Sequence, residues 1–448
     1  MSDRTETDQA LLPATQDIMV LRLVFSAGQL VSDQQWPLVL GTLFLGRATD
    51  PEAGVALPND RRASSVHAKI TVGAAGIRIT DEGSKNYTFV NGQKVEESAL
   101  ADGDLIRVGD SLFLICNEPA QVRDVVGPNA EIRSFILGSA AATRRFRCEL
   151  AEAADQPHAV LLLGESGTGK ELAARALHML SSRRKNRLIK VNVAALSQSL
   201  FESELFGHAA GAFTGAREAR SGRFHEAEGG TLFLDEIGEL SMDLQPKLLS
   251  VIEDQKFRPI GGRADQPCDV RVIAATNRDL DAAVRAGHFR LDLQQRLARR
   301  VIRLPPLRER PEDILPLFFH YLQLPPERLS HVLSARLCEA LMLYSWPGNI
   351  RELQNVCTMV QTSFDLTGEF QLQAILTRLA PPLSALPLAE PRTTFARKRT
   401  EQYNAETLTR LLKEKEGNIS QLAELTQLPR RTLKRLLIRL GIDYETYR

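Results

Sequence analysis

Glycine, lysine and carboxylate residues occur in two short segments with a spacing suited to phosphate chemistry. In "LLLGESGTGKE" an apolar run precedes Gly164, and a lysine follows two further glycines. Glycines let backbone N–H groups close around phosphate oxygens, and the lysine can reach the outer phosphates. We expect this segment to bind nucleotide through Gly164, Glu165, Ser166, Gly167, Thr168, Gly169, Lys170 and Glu171.

The second segment, "GGTLFLDEIG", is an apolar run that ends in two carboxylates. Asp235 is placed to bind Mg²⁺, and Glu236 to orient or deprotonate the attacking water. Glu171 stands where this loop usually has Ser or Thr, and its carboxylate is a second candidate Mg²⁺ ligand, directly or through water. Alone, such an acidic pair is more often a solvated helix start. Together with the upstream glycine loop it favours ATP hydrolysis.

The surrounding patterns indicate the elements that must position these residues. From near residue 130, the apolar runs "AVLLLG", "LIKVNV", "GTLFLDE" and "VRVIAATN" alternate with helical patterns, including one from Glu171 to Leu180. This alternation predicts a parallel α/β sheet. Short β-rich runs over residues 18–118 predict an all-β domain before it. Beyond "VIRLPPLRERPEDI" the pattern is helical, so a helical lid is expected from about 305 to 365.

Composition restricts the class of protein. A net charge of +1, 43% hydrophobic and 25% charged residues are normal for a folded chain that has no general attraction to nucleic acid or membrane. The five cysteines have no CxxC spacing, which favours a reducing compartment over disulfides or zinc. The polar N-terminus lacks a signal-peptide pattern, and no apolar run is long enough to span a membrane. We therefore expect a cytoplasmic protein.

Over residues 131–365 the chain resembles the AAA+ domain of bacterial enhancer-binding proteins, the ATP-dependent activators of sigma-54 RNA polymerase. The blocks "GESGTGKE", "ESELFGH", "GAFTGA", "GTLFLDEIGEL", "VRVIAATNRDL", "LPPLRERPEDI" and "WPGNIREL" occur in family order. The resemblance implies further site residues. Asn192 would be a switch that pairs with Glu236, Thr276 and Asn277 a first sensor, Arg351 a second sensor, and Arg290 and Arg296 arginine fingers that reach the neighbouring subunit. Such fingers imply an ATPase that works as a homo-oligomeric ring, expected to be hexameric.

The segment "GAFTGA" has glycines on both sides of Phe213 and Thr214, a composition typical of a flexible loop with an apolar tip. In the family this loop contacts sigma-54. The resemblance therefore assigns that contact to Gly211, Ala212, Phe213, Thr214, Gly215 and Ala216.

After a Pro-rich linker at 380–402, the region 403–446 reads as three short helices, the last of them basic. It resembles the Fis-type helix-turn-helix that ends most enhancer-binding proteins. The resemblance implies binding of upstream enhancer DNA through Arg430, Arg431, Thr432, Lys434 and Arg435.

The segments "LGR", "SSVHA", "DEGSKNYTFVNG" and "LADGDLIRVGD" resemble a forkhead-associated (FHA) domain, a β-sandwich that binds phosphothreonine peptides through its loops. The implied peptide-binding residues are Arg47, Ser64, Ser65, Lys85 and Asn86, and His67 would brace the loop that holds Ser64. Arginine and hydroxyl groups suit a phosphate dianion. A sandwich whose motif residues only support its loops is the alternative.

Together these patterns predict a multidomain chain with an all-β FHA sandwich, an α/β AAA+ P-loop ATPase with a helical lid, and a small all-α helix-turn-helix domain. The expected function is ATP-dependent activation of the sigma-54 RNA polymerase holoenzyme, with ATP and Mg²⁺ as cofactors and a phosphothreonine protein as input. A DNA-binding repressor or phosphopeptide adaptor that uses the AAA+ fold only to oligomerise is the main alternative. An AAA+ unfoldase would lack both GAFTGA and the DNA-binding tail.

Overall fold

The structure, a computed structural model, describes residues 17–31, 34–50, 54–119, 131–195, 198–212, 218–323, 334–367, 409 and 411. Side chains at 198, 199 and 363–367 are not part of that description. The chain divides into two compact units, Met1–Leu383 and Ser384–Arg448, and the helices and strands below belong to the first. The expected linker, nearly all of the expected helix-turn-helix with its five DNA-binding residues, and Phe213 to Ala216 lie outside the described residues.

The N-terminal region is the expected all-β sandwich. Its strands are β1 (Ile18–Ser26), β2 (Gln29–Leu30), β3 (Gln35–Pro37), β4 (Gly41–Gly46), β5 (Gly54–Ala56), β6 (Ala68–Gly73), β7 (Gly76–Asp81), β8 (Thr88–Val90), β9 (Gln93–Val95), β10 (Glu97–Leu100), β11 (Leu105–Val108) and β12 (Ser111–Glu118). A seven-stranded sheet in the order β2-β1-β12-β11-β8-β9, with β3 beside β1, faces a five-stranded sheet in the order β10-β7-β6-β4-β5. Alternate apolar residues such as Leu21, Ile70 and Phe113 fill the space between them.

The central region is an α/β layer structure around a parallel sheet in the order β14-β17-β20-β13-β21. Its strands are β13 (Val160–Leu163), β14 (Leu188–Asn192), β17 (Thr231–Asp235), β20 (Arg271–Thr276) and β21 (Arg300–Arg303). Its helices are α1 (Ile132–Phe135), α2 (Ala141–Ala154), α3 (Lys170–Leu180), α4 (Gln198–Phe206), α5 (Arg223–Glu226), α6 (Gln245–Asp254), α7 (Leu280–Arg285) and α8 (Leu291–Leu297). The central strands are apolar on both faces because helices cover both.

Two small hairpins stand beside this sheet. Strands β15 (Gly207–His208) and β16 (Arg220–Ser221) pair with each other, as do β18 (Lys256–Phe257) and β19 (Gln266–Pro267). The short 3₁₀ turns are Val193–Ala195, Ile237–Glu239, Leu307–Glu309 and Pro311–Asp313.

The helical lid follows the sheet as α9 (Ile314–Leu322), α10 (Ala335–Leu343) and α11 (Asn349–Thr367). Ser334 caps α10 because its side chain accepts from the backbone N of Leu337. The lid shares one apolar core with the seven-stranded sheet of the sandwich, so Phe25 and Leu112 of the sandwich belong to the same buried cluster as Phe318 and Leu341 of the lid. The sandwich and lid are therefore packed against each other.

In the part of the chain with described coordinates, no helix is both long and apolar enough to cross a membrane.

Candidate functional site

The phosphate-binding loop connects β13 to α3 at the carboxyl end of the parallel sheet, as the sequence predicts. The loop reverses direction through Gly167 and Gly169, whose φ angles are +81° and +105°. Residues with a side chain rarely adopt these angles, which explains glycine at both positions. Helix α3 begins at Lys170, so its N-terminal amides face the loop.

Lys170 lies inside the loop and is 7% exposed. Its Nζ donates to the carbonyl oxygens of Gly164 at 2.9 Å and Glu165 at 3.3 Å. Burial lowers the pKa of Lys170, while the nearby carboxylates of Glu236 and Asp235 oppose that change. A phosphate group bound near this ammonium would take the place of these two carbonyl oxygens as its partner, and would bring a full negative charge.

Glu165 ties the loop to the segment before the lid. Its carboxylate accepts two bonds from the guanidinium of Arg308, at 2.8 and 2.6 Å, and one from Nδ2 of Asn349 at 3.0 Å. The Arg308 bonds, and then the Asn349 bond, lower the pKa of Glu165 to about 2. What Glu165 presents to a nucleotide is therefore its backbone, since its side chain is engaged with Arg308 and Asn349.

The turn that opens α11 lies directly on the loop. The backbone N of Ile350 donates to the Gly167 carbonyl oxygen at 3.0 Å, and Arg351 Nη1 donates to Ser166 Oγ at 2.9 Å. A Cβ on Gly167 would lie 2.2 Å from the Gly348 carbonyl oxygen. Between loop and lid is a cavity of about 150 Å³ that Lys170 and Arg351 both border.

The acidic pair lies on the same cavity. Strand β17 ends at Asp235, and Glu236 follows with φ +55°. Both carboxylates border the cavity together with Glu171. In the structure the Glu171 carboxylate pairs with Lys190 Nζ at 2.5 Å, so binding Mg²⁺ through Glu171 would require leaving this lysine. The Asp235 carboxylate is a hard oxygen ligand suited to Mg²⁺ shared with phosphate oxygens, and Glu236 lies next to it.

Asn192 ends β14 in register with Asp235 on the neighbouring strand. Its Oδ1 accepts from the backbone N of Ala194 at 2.9 Å, which stabilises the 3₁₀ turn after the strand. The structure thus places Asn192 beside the acidic pair with its side chain engaged as a strand-end cap. Pairing with Glu236 would require this side chain to turn.

The two sensor positions end β20, one strand from Asp235. Thr276 is fully buried, and its Oγ1 accepts from the backbone N of Arg278 at 3.0 Å. Asn277 is exposed and borders a second, larger cavity of about 1090 Å³ with Gly164 and Glu165. Both residues therefore lie at the carboxyl edge of the sheet, near the phosphate-binding loop.

The two arginine-finger candidates lie at α8. Arg290 precedes the helix, is exposed, and pairs with Asp292 through Nη2 at 2.7 Å. Arg296 lies in the last turn and is partly exposed. Neither residue borders the cavity between the phosphate-binding loop and the lid, so a role there would have to be exerted on another subunit.

The GAFTGA segment begins at the end of the β15–β16 hairpin. Gly207 pairs with Ser221, and His208 with Arg220, below the segment. Phe206 stacks on Phe224 with ring centroids 5.7 Å apart. These contacts form a fixed neck, which we define as residues 206–208 and 220–224.

A second loop, residues 258–265 between β18 and β19, lies against this neck. Ala209 N donates to the Ile260 carbonyl oxygen, and Ile260 N to that of Gly207, both at 2.9 Å. A Cβ on Gly261 would lie 2.9 Å from Cβ of Ala212, the last described GAFTGA residue before the tip. The loop 258–265 and the GAFTGA segment are therefore anchored at the same neck.

In the N-terminal sandwich, His67 is fully buried and joins two loops. Its Nδ1 accepts from Ser64 N at 3.1 Å, and its Nε2 donates to the Tyr87 carbonyl oxygen at 3.2 Å. Burial lowers the pKa of His67 although the Tyr87 contact opposes it, so the ring is neutral near pH 7. The bracing role expected for His67 agrees with these contacts.

The loops that His67 joins, residues 61–65 and 84–87, carry exposed polar groups. Ser64 Oγ accepts from Lys85 N at 3.2 Å, and Asn86 Nδ2 donates to the Arg62 carbonyl oxygen at 2.7 Å. Arg47 lies beside them, because its backbone N donates to the Ser64 carbonyl oxygen at 2.8 Å. Ser65 is exposed on the same loop. The candidate phosphopeptide residues are thus brought together on one edge.

Sequence reasoning missed four features of these sites: Arg308, Asn349, Arg62 and the loop 258–265. Arg308 and Asn349 lie within the family blocks "LPPLRERPEDI" and "WPGNIREL", so block membership was the available signal. Arg62 was visible only as part of an Arg-Arg pair before "SSVHA", and the loop 258–265 as a Gly-Gly turn.

The chain matches three family descriptions. Residues 136–303 match "Sigma-54 interaction domain", residues 308–372 match "AAA+ ATPase lid domain", and residues 43–109 match "FHA domain". The sandwich described above is therefore an FHA domain, and the sheet with its lid is an AAA+ ATPase domain.

Known regulators share the central region. The sigma54-dependent transcriptional activator SfnR of Pseudomonas putida is 49% identical over 234 residues, which are 52% of this chain and 63% of that protein. SfnR of Pseudomonas fluorescens is 52% identical over 210 residues, 46% of this chain and 57% of that protein. The chain thus matches less than two thirds of the length of these two relatives.

Two further relatives match over a longer part of the chain. The crystal structure of NtrX from Brucella abortus superposes with a TM-score of 0.50 at 30% identity over 70% of each chain. The C4-dicarboxylate transport regulatory protein DctD of Pseudomonas aeruginosa is 38% identical over 336 residues, 73% of this chain and 69% of that protein. With this extent of identity and a sigma-54 interaction domain at its centre, the chain belongs to the family of sigma-54-dependent transcriptional regulators.

Proposed function

We propose that this protein hydrolyses ATP to remodel sigma-54 RNA polymerase into an open promoter complex. The observation that carries the proposal is that Lys170, Asp235, Glu236 and Arg351 border one cavity at the end of the parallel sheet. A cation from the loop, two carboxylates and a cation from the lid are the groups that phosphoryl transfer needs.

Within this site each residue has a distinct task. The loop amides and Lys170 hold the phosphates, and Asp235 would hold Mg²⁺, which would neutralise developing charge. Glu236 orients or deprotonates water. Arg351 contacts the nucleotide from the lid, and Thr276 with Asn277 responds to its hydrolysis from the end of β20.

The neck described above is suited to transmit this reaction to sigma-54. Asn192 lies beside Asp235 at the ends of β14 and β17, and α4 follows β14 toward the neck. Loss of the γ-phosphate would change the surroundings of Glu236, let Asn192 exchange its partner, and shift α4. Phe213 and Thr214 would then change their contact with sigma-54.

Hydrolysis requires an assembled ring, since Arg290 and Arg296 are directed to the nucleotide of a neighbouring subunit. A trans arginine contributes about 10³ to 10⁵ in rate. The C-terminal helix-turn-helix brings the ring to upstream DNA, and the protein acts in the cytoplasm.

The FHA domain supplies the input by binding a phosphothreonine protein. Arg47, Ser64 and Lys85 lie at one edge of the sandwich, which suits a phosphate dianion. A Ser/Thr kinase would control this signal.

Purified full-length protein tests the proposal. ATPase activity per subunit is expected to rise steeply with protein concentration, and addition of ATP should open a sigma-54 promoter complex on a template with upstream DNA. Lys170→Ala should abolish nucleotide binding, whereas Lys185→Ala, an exposed lysine, should not. Absence of hydrolysis at every concentration, with ring formation retained, would favour an adaptor or repressor instead.

A further inference from the structure

We propose that the FHA domain restrains the lid of the ATPase domain, and that occupation of the FHA phosphate site tightens this restraint through Arg62 and Asp110, so that phosphopeptide and nucleotide oppose each other's binding. The second half of this inference rests on the proposed phosphothreonine function. The first half rests only on contacts within the chain.

The FHA domain contacts both halves of the ATPase domain. Its seven-stranded sheet shares an apolar core with the lid. At the end of β12 in that sheet, Glu118 pairs with Arg144 of α2 in the α/β half, and with Arg22 of β1 at 3.2 Å. A domain fixed to both halves limits how far they can move apart.

The contact with the lid includes a buried ion pair. Arg107 Nε donates to Glu339 Oε2 at 2.8 Å, and the two side chains are 10% and 8% exposed. The Arg107 guanidinium also lies 3.7 Å from the centre of the Phe89 ring. Glu339 Oε1 has no hydrogen-bond partner among the described atoms.

Burial raises the pKa of Glu339, and Arg107 opposes that change. Because an ion pair of this kind is costly to separate, it holds α10 in register with β11.

A nucleotide that enters between the phosphate-binding loop and the lid would have to displace the lid. The cavity between loop and lid is about 150 Å³, whereas ligand pockets typically measure roughly 300 to 1,000 Å³. Helix α10 leads directly into the turn that places Gly348 and Ile350 on the loop. A restraint on α10 therefore opposes the opening that nucleotide requires.

The phosphate edge of the FHA domain is connected to this contact by a short polar network. Asp60, 1% exposed, accepts from the backbone N of Arg62 and Ala63 on the phosphate loop. Its other oxygen accepts from Asp110 N at 2.8 Å and Ser111 Oγ at 2.7 Å, in the turn that follows β11. Asp110 in this turn lies three residues after Arg107, the residue that pairs with Glu339 of the lid.

Arg62 is the residue that a phosphate would remove from this network. Its Nε lies 3.4 Å from Asp110 Oδ2, and its side chain is 63% exposed. It flanks Ser64 on the loop that carries the candidate phosphate ligands. A dianion at Ser64 attracts the guanidinium more strongly than a single carboxylate does.

Once Arg62 turns to phosphate, Asp110 loses its cationic partner, and Arg336 of the lid would replace it. Burial raises the pKa of Asp110, while the charges of Arg62, Arg107 and the lid residue Arg336 oppose this. Arg336 lies one turn before Glu339 on α10. An Asp110–Arg336 pair would add a second ionic contact between FHA domain and lid beside Arg107–Glu339. By linkage, nucleotide would weaken phosphopeptide binding by the same factor.

The restraint is tested with full-length protein and a fluorescent ATP analogue. Arg107→Gln with Glu339→Gln removes the buried pair without leaving a single charge. We expect this variant to bind the analogue about 5-fold or more tightly than the unaltered protein, the lower end of typical coupling factors. The matched control is Arg78→Gln with Glu97→Gln, which removes an exposed pair on the other FHA sheet and should leave affinity unchanged. Glu118→Gln, which releases α2 instead of α10, should also bind the analogue more tightly. It is the test variant to use if the buried double variant does not fold.

Unchanged nucleotide affinity would overturn the restraint when the contact is shown to be loosened, by faster amide exchange in α10 for the double variant and in α2 for the Glu118 variant. For the input, a degenerate phosphothreonine peptide pool is added, with the unphosphorylated pool as control. The phosphorylated pool should weaken analogue binding about 5-fold or more. Asp110→Asn should bind the pool and show no such effect.

These measurements distinguish failure of the phosphopeptide coupling from failure of the proposed phosphothreonine function. A pool that binds but leaves nucleotide affinity unchanged, or strengthens it, overturns the coupling. A pool that does not bind overturns the phosphothreonine function and with it the input half, while the Arg107 and Glu339 double variant still decides the restraint.

Discussion

A one-atom exchange at the joint between loop and lid gives a sharp prediction. Asn349 is fully buried, and its Oδ1 accepts from Leu307 N at 2.8 Å. Its Nδ2 donates to Glu165 Oε2 at 3.0 Å and to the Ser166 carbonyl oxygen at 3.1 Å. Asn349→Asp keeps the acceptor and loses both donors.

The magnitude follows from those two bonds. A hydrogen bond to a charged group contributes about 1.5–3 kcal/mol and a neutral one about 0.5–1.5 kcal/mol. The joint should therefore lose about 2–4.5 kcal/mol, which raises the fraction of opened lid roughly 30- to 2,000-fold.

The assay is native-state hydrogen exchange at the amides of Gly348, Ile350 and Glu352. Asn186→Asp, the same substitution at an exposed asparagine, is the control.

In the Asn349 variant two carboxylates face each other, which raises the pKa of one of them. That carboxyl group takes up a proton as pH falls and can then donate a hydrogen bond. Lid protection in the variant should thus recover as pH falls. The unaltered joint should show no such recovery, because the pKa of Glu165 is about 2. Normal exchange rates in the variant at pH 7.5 would refute the reasoning.

Three further predictions concern the reaction and its transmission. Glu236→Ala should retain ATP binding and lose about 10² or more in hydrolysis rate, seen as stable nucleotide retention on filters; ordinary turnover would contradict the role of Glu236. Arg290→Ala should lower ATPase activity of the assembled ring about 10³-fold, with recovery in mixed rings that contain a site-dead partner; Arg285→Ala, exposed on α7, is the control, and full activity of the Arg290 variant would exclude it as a finger. Thr214→Ala should hydrolyse ATP normally but fail to engage sigma-54 in a pull-down, and retained engagement would show that the GAFTGA tip is not the contact.

Local patterns predicted the sites whose residues are close in sequence. Strand β13, the glycine loop and helix α3 follow from one apolar run, the glycine spacing and a helix-favouring stretch, and the helix begins at Lys170, one residue before the expected start. Strand β17 ends at Asp235, as the apolar run indicates. The all-β sandwich was likewise predicted by short alternating runs and confirmed by two facing sheets.

Long-range contacts could not be predicted in this way. The Glu165–Arg308 and Arg107–Glu339 pairs join residues separated by 143 and 232 positions. No local periodicity indicates that β11 of the first domain faces α10 of the lid. Sequence also assigned Glu165 to nucleotide without showing that its carboxylate has two other partners. The individual roles of the site residues stay predictions.

The backbone crowding at the neck has a consequence for comparing natural variants. A Cβ on Gly207 would lie 2.5 Å from the Arg220 carbonyl oxygen, and one on Gly222 2.4 Å from the Phe206 carbonyl carbon. Glycine at 207 and 222 is thus required for the chain to cross itself, whatever the loop above it touches. Retention of both glycines in a homologue therefore says nothing about sigma-54, and loss of the sigma-54 contact proposed for Phe213 and Thr214 would show as substitutions at those two positions instead.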